Sequence, residues 1–300
     1  MNGCFVFDLR RLRLLHELSV RGTLAAVAEA LAYSPSTISQ QLAQLEREAG
    51  VALLEPDGRR VRLTAQGEAL AAHAARMLAA DEEVRSELER MRPSLAPVRI
   101  AAMQSAVHGL IPRVLALLDE SAPGLRLEVT ELPPEEGLFE LAARGFDLVV
   151  AEQYPGHTRE HREGLERTLL GLDSIRLALG PDERETDLAA LRDRPWVMEP
   201  VGTAARQWAT QQCRAAGFDP DVPYELTDLT AHVRLVASGL AVGMVPDLVF
   251  AGDEPPVRLF DLPGTPRRDV FTAVRRGSSR RPALRAVQTA LQQAFDEIAA

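Results

Sequence analysis

The stretch TLAAVAEALAYSPSTISQQLAQ, residues 23–44, predicts two short helices joined by a tight turn. Gly22 can end the preceding helix in the left-handed conformation, and the Thr23 hydroxyl can accept from the first free amides of the next helix. Ser34 is a favoured N-cap residue, and the ring of Pro35 fits the first helical position. A second helix is therefore predicted to begin at Ser34.

That second helix is amphipathic. Ile38, Leu42, Leu45 and Ala49 recur at helical spacing and predict a buried stripe. The side away from the stripe carries hydroxyls and amides, at Ser36, Thr37, Ser39, Gln40 and Gln41. Such groups can reach base edges and phosphates in a DNA major groove. On the helix pair alone, a plain surface helix with an uncharged polar face is the alternative.

The next segment, VALLEPDGRRVRLT at residues 51–64, predicts a hairpin. Pro56, Asp57 and Gly58 supply turn chemistry between two short extended runs. A cluster of guanidinium groups follows the turn, at Arg59, Arg60 and Arg62. Beside a recognition helix they would hold phosphates without reading sequence, whereas the alternative is solvated charge on an edge strand.

Residues 8–67 resemble the N-terminal winged helix-turn-helix domain of LysR-type transcriptional regulators. The resemblance includes the Gly-Thr start of the second helix, the serines at 34 and 39, the Leu45-Glu46 pair, the Gly-Arg-Arg wing and the Leu-Thr exit at 63–64. Two departures stand out. The family commonly has Gln-Pro where this chain has Pro35-Ser36, which removes a frequent groove contact, and Arg where it has Pro56, which removes a phosphate contact.

The resemblance implies double-stranded DNA as a partner and a set of DNA-binding residues. These are Thr23, Ser34, Pro35, Ser36, Thr37, Ser39, Gln40, Gln41, Arg59, Arg60 and Arg62. The net charge of −9 does not conflict with DNA binding, because residues 1–66 hold eight arginines against seven acids. Phosphate binding depends on where the cations lie rather than on the total charge of the chain.

Length and composition indicate a protein of several parts. The 300 residues, 46% of them hydrophobic, can fill more than one core. Cys4 and Cys213 provide neither a disulfide framework nor a zinc-ligand cluster. The N-terminus shows no secretory signal, and no apolar run approaches membrane-spanning length. We therefore expect a cytoplasmic protein without a membrane partner.

Residues 65–92 predict one long helix. Its apolar positions, Leu70, Ala74, Met77, Val84, Leu88 and Met91, nearly alternate by four and three, and Asp81 breaks the pattern. This is typical of a seam between two paired helices, so the segment is predicted to link the domains and to form a homodimer. An amphipathic helix packed on its own body is the alternative. The predicted domains are residues 1–66 for DNA binding, 67–93 for the linker, and 97–300 for the remainder.

From residue 98 onward, short apolar runs alternate with helical stretches, which predicts a mostly parallel sheet covered by helices. The order resembles the effector-binding domain of the same family, an α/β fold of two subdomains similar to type 2 periplasmic-binding proteins. Subdomain I is predicted over 97–167 and 268–300, and subdomain II over 168–267. The most specific match is VASGLAVGMVP at 236–246, in which Ala241 replaces the family's usual second glycine.

Ligands of such folds lie beyond the carboxyl ends of the strands, near helix N-termini. By that rule the predicted effector-binding residues are Gln104, Ser105, Pro133, Pro134, Glu152, Val201, Gly202, Thr203, Asp228, Leu229 and Thr230. For Ser105, Thr203 and Thr230, helix capping is the alternative role. Glu131, Glu152 and Glu199 would disfavour an anionic effector and Arg206 would favour one, so the charge of the unknown small-molecule effector is left open.

Motifs for catalysis are absent from the sequence: there is no nucleophile elbow, zincin motif, phosphate-binding loop or dinucleotide loop. His157 and His161 lie four residues apart, but in a polar segment that predicts a solvated loop, so neither a metal nor another cofactor is assigned. The resemblance implies instead that effector binding alters promoter bending or contact with RNA polymerase, in a dimer or the family's usual tetramer. An exported solute-binding protein would not need the N-terminal domain, and an effector-independent nucleoid protein would leave the C-terminal domain unused.

Overall fold

The computed structural model describes residues 6–58, 60–91, 97–157, 164–251 and 253–299. Two compact units divide the chain between them. Unit 1 comprises Met1–Pro93 together with the short segments Ala143–Gly145 and Arg276–Pro282. Unit 2 comprises Ser94–Ala142, Phe146–Arg275 and Ala283–Ala300.

Unit 1 contains four helices and a two-stranded hairpin among its described residues. They are α1 (Leu9–Arg21), α2 (Leu24–Leu31), α3 (Pro35–Ala49), β1 (Leu54–Asp57), β2 (Arg60–Leu63) and α4 (Ala65–Met91). The pairing of β1 with β2 is antiparallel, with Glu55 opposite Arg62 and Asp57 opposite Arg60, which confirms the predicted hairpin.

Local capping sets the boundaries of the helices in unit 1. Gly22 ends α1 with a φ of 74°, and Thr23 accepts from the amide of Ala26 at the start of α2. Ser34 accepts from the amide of Thr37, and Pro35 occupies the first turn of α3. These features confirm the predicted starts. The turn between α2 and α3 depends in addition on Ala32, whose φ of 54° no sequence signal indicated.

The core of unit 1 forms where the apolar faces of its helices meet. Ile38, Leu42 and Leu45 are at most 1% exposed, which confirms the predicted stripe, while Ala49 is half-buried at its end. Glu46 also has a structural role, because one of its carboxylate oxygens accepts from the amides of Leu53 and Leu54 at 2.9 and 3.0 Å. This contact ties the start of the hairpin to α3.

Helix α4 is about 40 Å long at the usual rise per residue. Its predicted seam divides into two parts. Ala74 is buried and Leu70 is half-buried, and both pack into the helix-turn-helix core. The later positions are exposed, at Met77, Val84, Leu88 and Met91. A single continuous seam is therefore wrong for the first two positions, because the hydrophobic core of unit 1 already covers them.

Two short segments of unit 1 pack against the second half of α4. Ser86 donates to the carbonyl of Gly277 at 2.9 Å, and Glu89 is paired with Arg281 at 2.9 Å. Glu82 is paired with Arg144 in the same way at 2.5 Å. These contacts fix the polar side of α4 and leave its apolar side outward.

Unit 2 is an α/β structure. Its elements are β3 (Val98–Ala102), α5 (Gln104–Gly109), α6 (Ile111–Ser121), β4 (Leu127–Glu131), α7 (Pro134–Ala142), β5 (Leu148–Gln153), β6 (Leu165–Leu179), β7 (Pro195–Met198), α8 (Ala204–Ala215), β8 (Asp221–Glu225), α9 (Leu229–Ala237), β9 (Gly243–Pro246), β10 (Arg258–Asp261), β11 (Arg267–Arg275) and α10 (Pro282–Ala299). The short helix α5 directly precedes α6 and ends at Gly109.

The long strand β6 belongs to two sheets. Its first part pairs antiparallel with β11, which continues through β5 and β3 to β4. Its second part pairs antiparallel with β9 and β10, and β7 and β8 lie beyond β9 through a bridge from Trp196 to Val242. The strands β3, β4 and β5 are parallel, as predicted, whereas β6, β9, β10 and β11 introduce antiparallel pairs. Each sheet has its own hydrophobic core, so unit 2 consists of two α/β halves.

Candidate nucleic-acid interface and ligand cavity

The start of α3 presents a group of hydroxyls. The Ser34 hydroxyl lies 2.8 Å from the hydroxyls of both Ser36 and Thr37. Ser34, Pro35 and Ser36 are exposed, and Thr37 is half-buried. Because the N-terminal end of a helix carries partial positive charge, this end of α3 suits a phosphate or a base acceptor.

Further along α3, Ser39, Gln40 and Gln41 are exposed. The two glutamines differ in their surroundings. The amide oxygen of Gln41 accepts from Arg11 of α1 at 3.1 Å, and Arg11 is also paired with Glu48. Gln41 is therefore held toward α1, and Gln40 is the better placed of the two for an outside partner.

The hairpin carries two of the three predicted arginines within the described residues, and Arg59 lies outside them. Arg60 and Arg62 are both exposed. Arg62 forms an ion pair with Glu55 on the opposite strand at 2.7 Å. Thr23 is half-buried at its cap position in α2. Among these residues Arg60 is the strongest candidate for a phosphate contact, because part of the charge of Arg62 is already balanced.

Unit 2 contains a cavity of about 250 Å³ at the carboxyl ends of β3, β4, β5 and β7. Seven of the predicted effector-binding residues line it, namely Gln104, Ser105, Pro133, Pro134, Glu152, Thr203 and Leu229. A cavity in this position is typical of ligand sites in open α/β folds.

The other four predicted residues lie outside the lining. Val201 is 76% exposed, and Gly202 adopts a φ of 102° in the same exposed turn. Asp228 caps α9 by accepting from the amide of Thr230 at 2.8 Å. Asp228 therefore caps α9, and Thr230 has neither the predicted cavity contact nor the alternative capping role.

Gln104 joins the two halves of unit 2 beside the cavity. Its amide nitrogen donates to Asp228 at 2.9 Å, and its amide oxygen accepts from the backbone amide of Leu229 at 2.7 Å. The sequence distance between these partners is large, so only the fold brings them together. This pair of hydrogen bonds links α5 of one half to α9 of the other.

Arg268, at the start of β11, is a lining residue that the sequence did not indicate. It is 3% exposed and donates to the Ser105 hydroxyl at 2.6 Å and to Asp173 at 2.9 Å. Asp173 in turn accepts from the backbone amide of Leu248 at 3.0 Å. The only available signal was a charged pair at the start of an apolar strand, Arg267-Arg268, and nothing in it showed which arginine turns inward.

The remaining charged lining residues are all acidic: Glu131, Glu135, Glu152 and Glu199. Burial, together with the negative charge of Glu152, raises the pKa of Glu199 to about 7. The hydrogen bond from Thr203 and the charge of Arg268 oppose this shift. Arg206 does not line the cavity, since it donates to Glu225 at 3.1 Å and to the carbonyl of Glu199 at 3.0 Å. Arg206 is therefore engaged by partners within the protein and does not attract an anionic ligand into the cavity, as the sequence suggested it could.

A small apolar space of about 20 Å³ adjoins the cavity and shares Glu199, Ala205 and Leu229 with it. Aromatic rings form part of its wall, with Tyr154 and Trp208 at a centroid distance of 5.6 Å. The guanidinium of Arg268 lies 5.9 Å from the Tyr154 ring. The cavity thus has acidic side chains in its lining, and the rings of Tyr154 and Trp208 form an aromatic floor beyond the residues that it shares with the small space.

Among the residues that the structure describes, no group of three or more His, Cys, Asp or Glu side chains is placed to hold a metal ion. Of the two histidines considered from the sequence, His161 lies outside the described residues. Within the described part of the chain, none of the helices is long and apolar enough to cross a bilayer.

A helix-turn-helix with a hairpin wing, followed by a two-part α/β unit with a cavity, defines a ligand-responsive DNA-binding regulator. The family model described as bacterial regulatory helix-turn-helix protein, lysR family, matches residues 9–68. The model described as LysR substrate binding domain matches residues 94–296. The chain belongs to the LysR family of transcriptional regulators.

Similar proteins agree with this assignment. The chain is 28% identical over 255 residues to the transcriptional dual regulator GltC of Bacillus subtilis, covering 83% of each protein. It is 31% identical over 242 residues to a probable hydrogen peroxide-inducible genes activator of Mycobacterium avium, covering 78% of this chain and 76% of the relative. As a member of this family, the chain is a DNA-binding transcriptional regulator with an effector-binding domain.

Solved structures show the same fold. A full-length OxyR variant from Pseudomonas aeruginosa aligns with a TM-score of 0.67 at 22% identity, over 97% of this chain and 95% of that one. Full-length CbnR in complex with its target DNA aligns with a TM-score of 0.54 at 22% identity, over 96% of this chain and all of that one. At these identities the likeness establishes the fold.

Proposed function

We propose that α3 reads operator DNA through Ser36, Ser39 and Gln40 and that Arg60 positions the domain on phosphates. The other predicted DNA-binding residues support this surface rather than read bases. Thr23 and Ser34 cap α2 and α3, and Gln41 is held by Arg11. The observation that carries the proposal is the exposed, uncharged polar side of α3 next to a hairpin that bears arginines.

Two chains pair through α4 in this proposal. Met77, Val84 and Met91 recur every seven residues, Leu88 lies between the last two, and all four are 44–70% exposed. Exposed apolar side chains at this spacing are typical of a helical pairing seam. A two-fold dimer would present two copies of α3 to a two-fold operator. A tetramer is the larger assembly that the family implies.

The cavity in unit 2 is the proposed effector site. Its place at the carboxyl ends of β3, β4, β5 and β7 and its contributions from both α/β halves support this assignment. A ligand bound there would favour one arrangement of the halves over another, because it contacts both. The proposed outcome is a change in promoter bending or in contact with RNA polymerase. Since the chromosome of a bacterium lies in its cytoplasm, we infer that the protein works there.

Thiol-based peroxide sensing, which the names of some similar proteins suggest, is not part of the proposal. A peroxide-reactive cysteine needs access to solvent and a lowered pKa. Cys213 is fully buried on α8, and burial raises its pKa to about 12. Cys4 lies outside the described residues. The described thiol has the properties of a structural residue.

The test uses the full-length protein and the intergenic DNA upstream of its own gene. We expect tighter binding to this fragment than to a scrambled duplex in anisotropy titrations, and at least a dimer by light scattering. A monomer without sequence preference would refute the proposal. For the cavity, Thr203→Trp should abolish ligand binding while DNA binding persists. Thr203→Ala is the matched control, because it removes the hydroxyl that caps α8 and hydrogen-bonds Glu199 without filling the cavity, and it should cost about 1 kcal/mol of stability.

A further inference from the structure

The charges around the cavity indicate which class of molecule it binds. Resting on the proposed function, in which this cavity holds the effector, we propose that the effector is a small organic cation, an amine or guanidine on a compact apolar skeleton. Four carboxyl groups and one guanidinium line the space. Three features favour a cation: the positions of the carboxyl groups, the pairing of the guanidinium with Asp173, and the aromatic floor.

The carboxyl groups come from three separate chain segments and lie at different depths. Glu131 ends β4 and Glu135 lies in the first turn of α7, and both are exposed at the mouth. Glu152 is near the end of β5 and is 7% exposed, and Glu199 follows β7 and is half-buried. A cation entering the cavity would therefore meet negative charge from the mouth to the interior.

Arg268 offsets these charges only in part. Its guanidinium pairs with Asp173, which is 5% exposed and is not a lining residue. A buried arginine paired in this way contributes little net positive charge to the cavity, and its hydrogen bond to Ser105 engages a further donor direction. An anionic ligand would have to compete with Asp173 for the guanidinium.

Two of the helix N-termini around the cavity, those of α8 and α9, already have acceptors from this chain. Thr203 accepts from the amide of Arg206 in α8 at 3.2 Å. Asp228 and Gln104 accept from the amides of Thr230 and Leu229 in α9 at 2.8 and 2.7 Å. In α7 the first turn carries Glu135 next to the cavity. The positive ends of α7, α8 and α9 are thus screened by acceptors or by a carboxylate, whereas the short helix α5 has no side-chain cap.

The aromatic floor gives an independent indication. Tyr154 and Trp208 line the adjoining apolar space, and Glu199 lies at the junction between this space and the cavity. Both rings are almost fully buried, at 6% and 4% exposed, and the guanidinium of Arg268 already lies 5.9 Å from the Tyr154 ring, so this part of the wall favours positive charge. An ammonium group at the junction would gain from the carboxylate of Glu199. A strongly anionic ligand would gain from neither feature.

The titration of Glu199 supports the same conclusion. Its pKa lies near 7 because of burial and the charge of Glu152, with a smaller contribution from Glu135 and opposition from Arg268. His232, the histidine that lines the adjoining space, has a lowered pKa and is therefore neutral near pH 7. A bound cation would stabilise the charged form of Glu199, so binding would release protons near neutral pH.

The experiment is isothermal titration calorimetry on the full-length protein with matched probes. Three skeletons (n-butyl, isopentyl and 2-phenylethyl) each carry an ammonium, a hydroxyl or a carboxylate group. For at least one skeleton we expect the ammonium form to bind about tenfold or more tightly than both counterparts. Glu199→Gln and Glu152→Gln should each reduce that affinity about tenfold. Glu136→Gln, next to Glu135 but outside the lining, should leave it unchanged.

The results distinguish an error in the cationic class of the effector from an error in the assignment of the cavity as the effector site. Tighter binding of carboxylates, lost in Thr203→Trp, would overturn the cationic class while the cavity remained the effector site. No preference for ammonium with any skeleton would also overturn it. Circular dichroism and DNA titration of each variant show whether it is folded. Loss of sequence-specific DNA binding by the unmodified protein, in contrast, would bear on the proposed function alone.

Discussion

The DNA-contacting surface and the ligand cavity assemble their functional groups in opposite ways. The proposed reading residues lie within six positions of one helix, and caps a few residues away fix where that helix begins. The cavity instead joins Ser105, Glu152, Thr203 and Arg268 from four distant parts of the chain. One surface is exposed and uncharged along α3, and the other is enclosed and acidic. Local interactions build the first, and long-range packing builds the second.

If this contrast holds, removing one long-range contact should damage the cavity more than any single change damages the DNA surface. Arg268→Met would leave Asp173 buried without its cationic partner. We expect a loss of about 3–5 kcal/mol in the free energy of unfolding, measured in urea. Arg176→Met is the control, because its ion pairs with Asp247 and Asp261 are partly exposed, and it should cost about 1 kcal/mol or less. Equal losses of unfolding free energy in the two variants would contradict the structural role given to the buried pair of Arg268 and Asp173.

The pH dependence of stability sharpens the contrast from the cavity side. The folded-state pKa of Glu199 is raised from 4.5 to about 7, so its charged form is disfavoured in the folded protein. Below about pH 4.5 the carboxyl is neutral in both the folded and the unfolded state, and its contribution to the free energy of unfolding is at its maximum. This contribution is lost as the pH rises through about 7. Relative to Glu199→Gln, the wild type should lose up to about 3 kcal/mol over this range. Urea unfolding at several pH values measures the difference, and a flat difference would refute the shift.

On the DNA side, Gln40→Ala and Gln41→Ala separate reading from support. Gln40 is exposed on α3, whereas Gln41 is held by Arg11. Loss of an amide that contacts a base should cost about 1–3 kcal/mol of discrimination between operator and random DNA, so Gln40→Ala should reduce the ratio of the two affinities. Gln41→Ala should change that ratio less. Anisotropy titrations with both duplexes provide the measurement, and the reverse order would invalidate the division.

The wing should give the smallest and least specific effect. Arg60→Ala should weaken binding to operator and random DNA about equally and reduce the salt slope by about one. Arg62→Ala should do less, since Glu55 already balances part of its charge. Binding titrations across a range of salt concentrations test both. An arginine variant that lost discrimination without a change in salt slope would show that the wing reads bases.

The success of sequence reasoning follows the same contrast. The helix boundaries predicted from Gly22, Thr23, Ser34 and Pro35 are confirmed, because capping depends on neighbours within one turn. The prediction of an apolar seam along α4 was only partly correct. Helical spacing marks Leu70 and Met77 equally as apolar, but it does not tell which one a neighbouring core already covers.

The rule that ligands lie beyond strand ends predicted most of the loops that line the cavity but not every lining side chain. It included Val201, which points to solvent, and missed Arg268, which lies at the beginning of its strand rather than at the end. Strand polarity explains the miss. Because β11 runs antiparallel to β5, its first residues lie next to the carboxyl end of β5.

The sequence alone determined the order of elements, the boundaries of the DNA-contacting helices and the family, because these depend on propensities, caps and motifs within short windows. Only the tertiary structure decided which apolar residues of α4 stay exposed, which arginine is buried beside Ser105, and that four of the five charged residues lining the cavity are acidic. Those properties arise when segments far apart in the chain approach one another, and burial then changes the balance of charge. No local pattern encodes that approach.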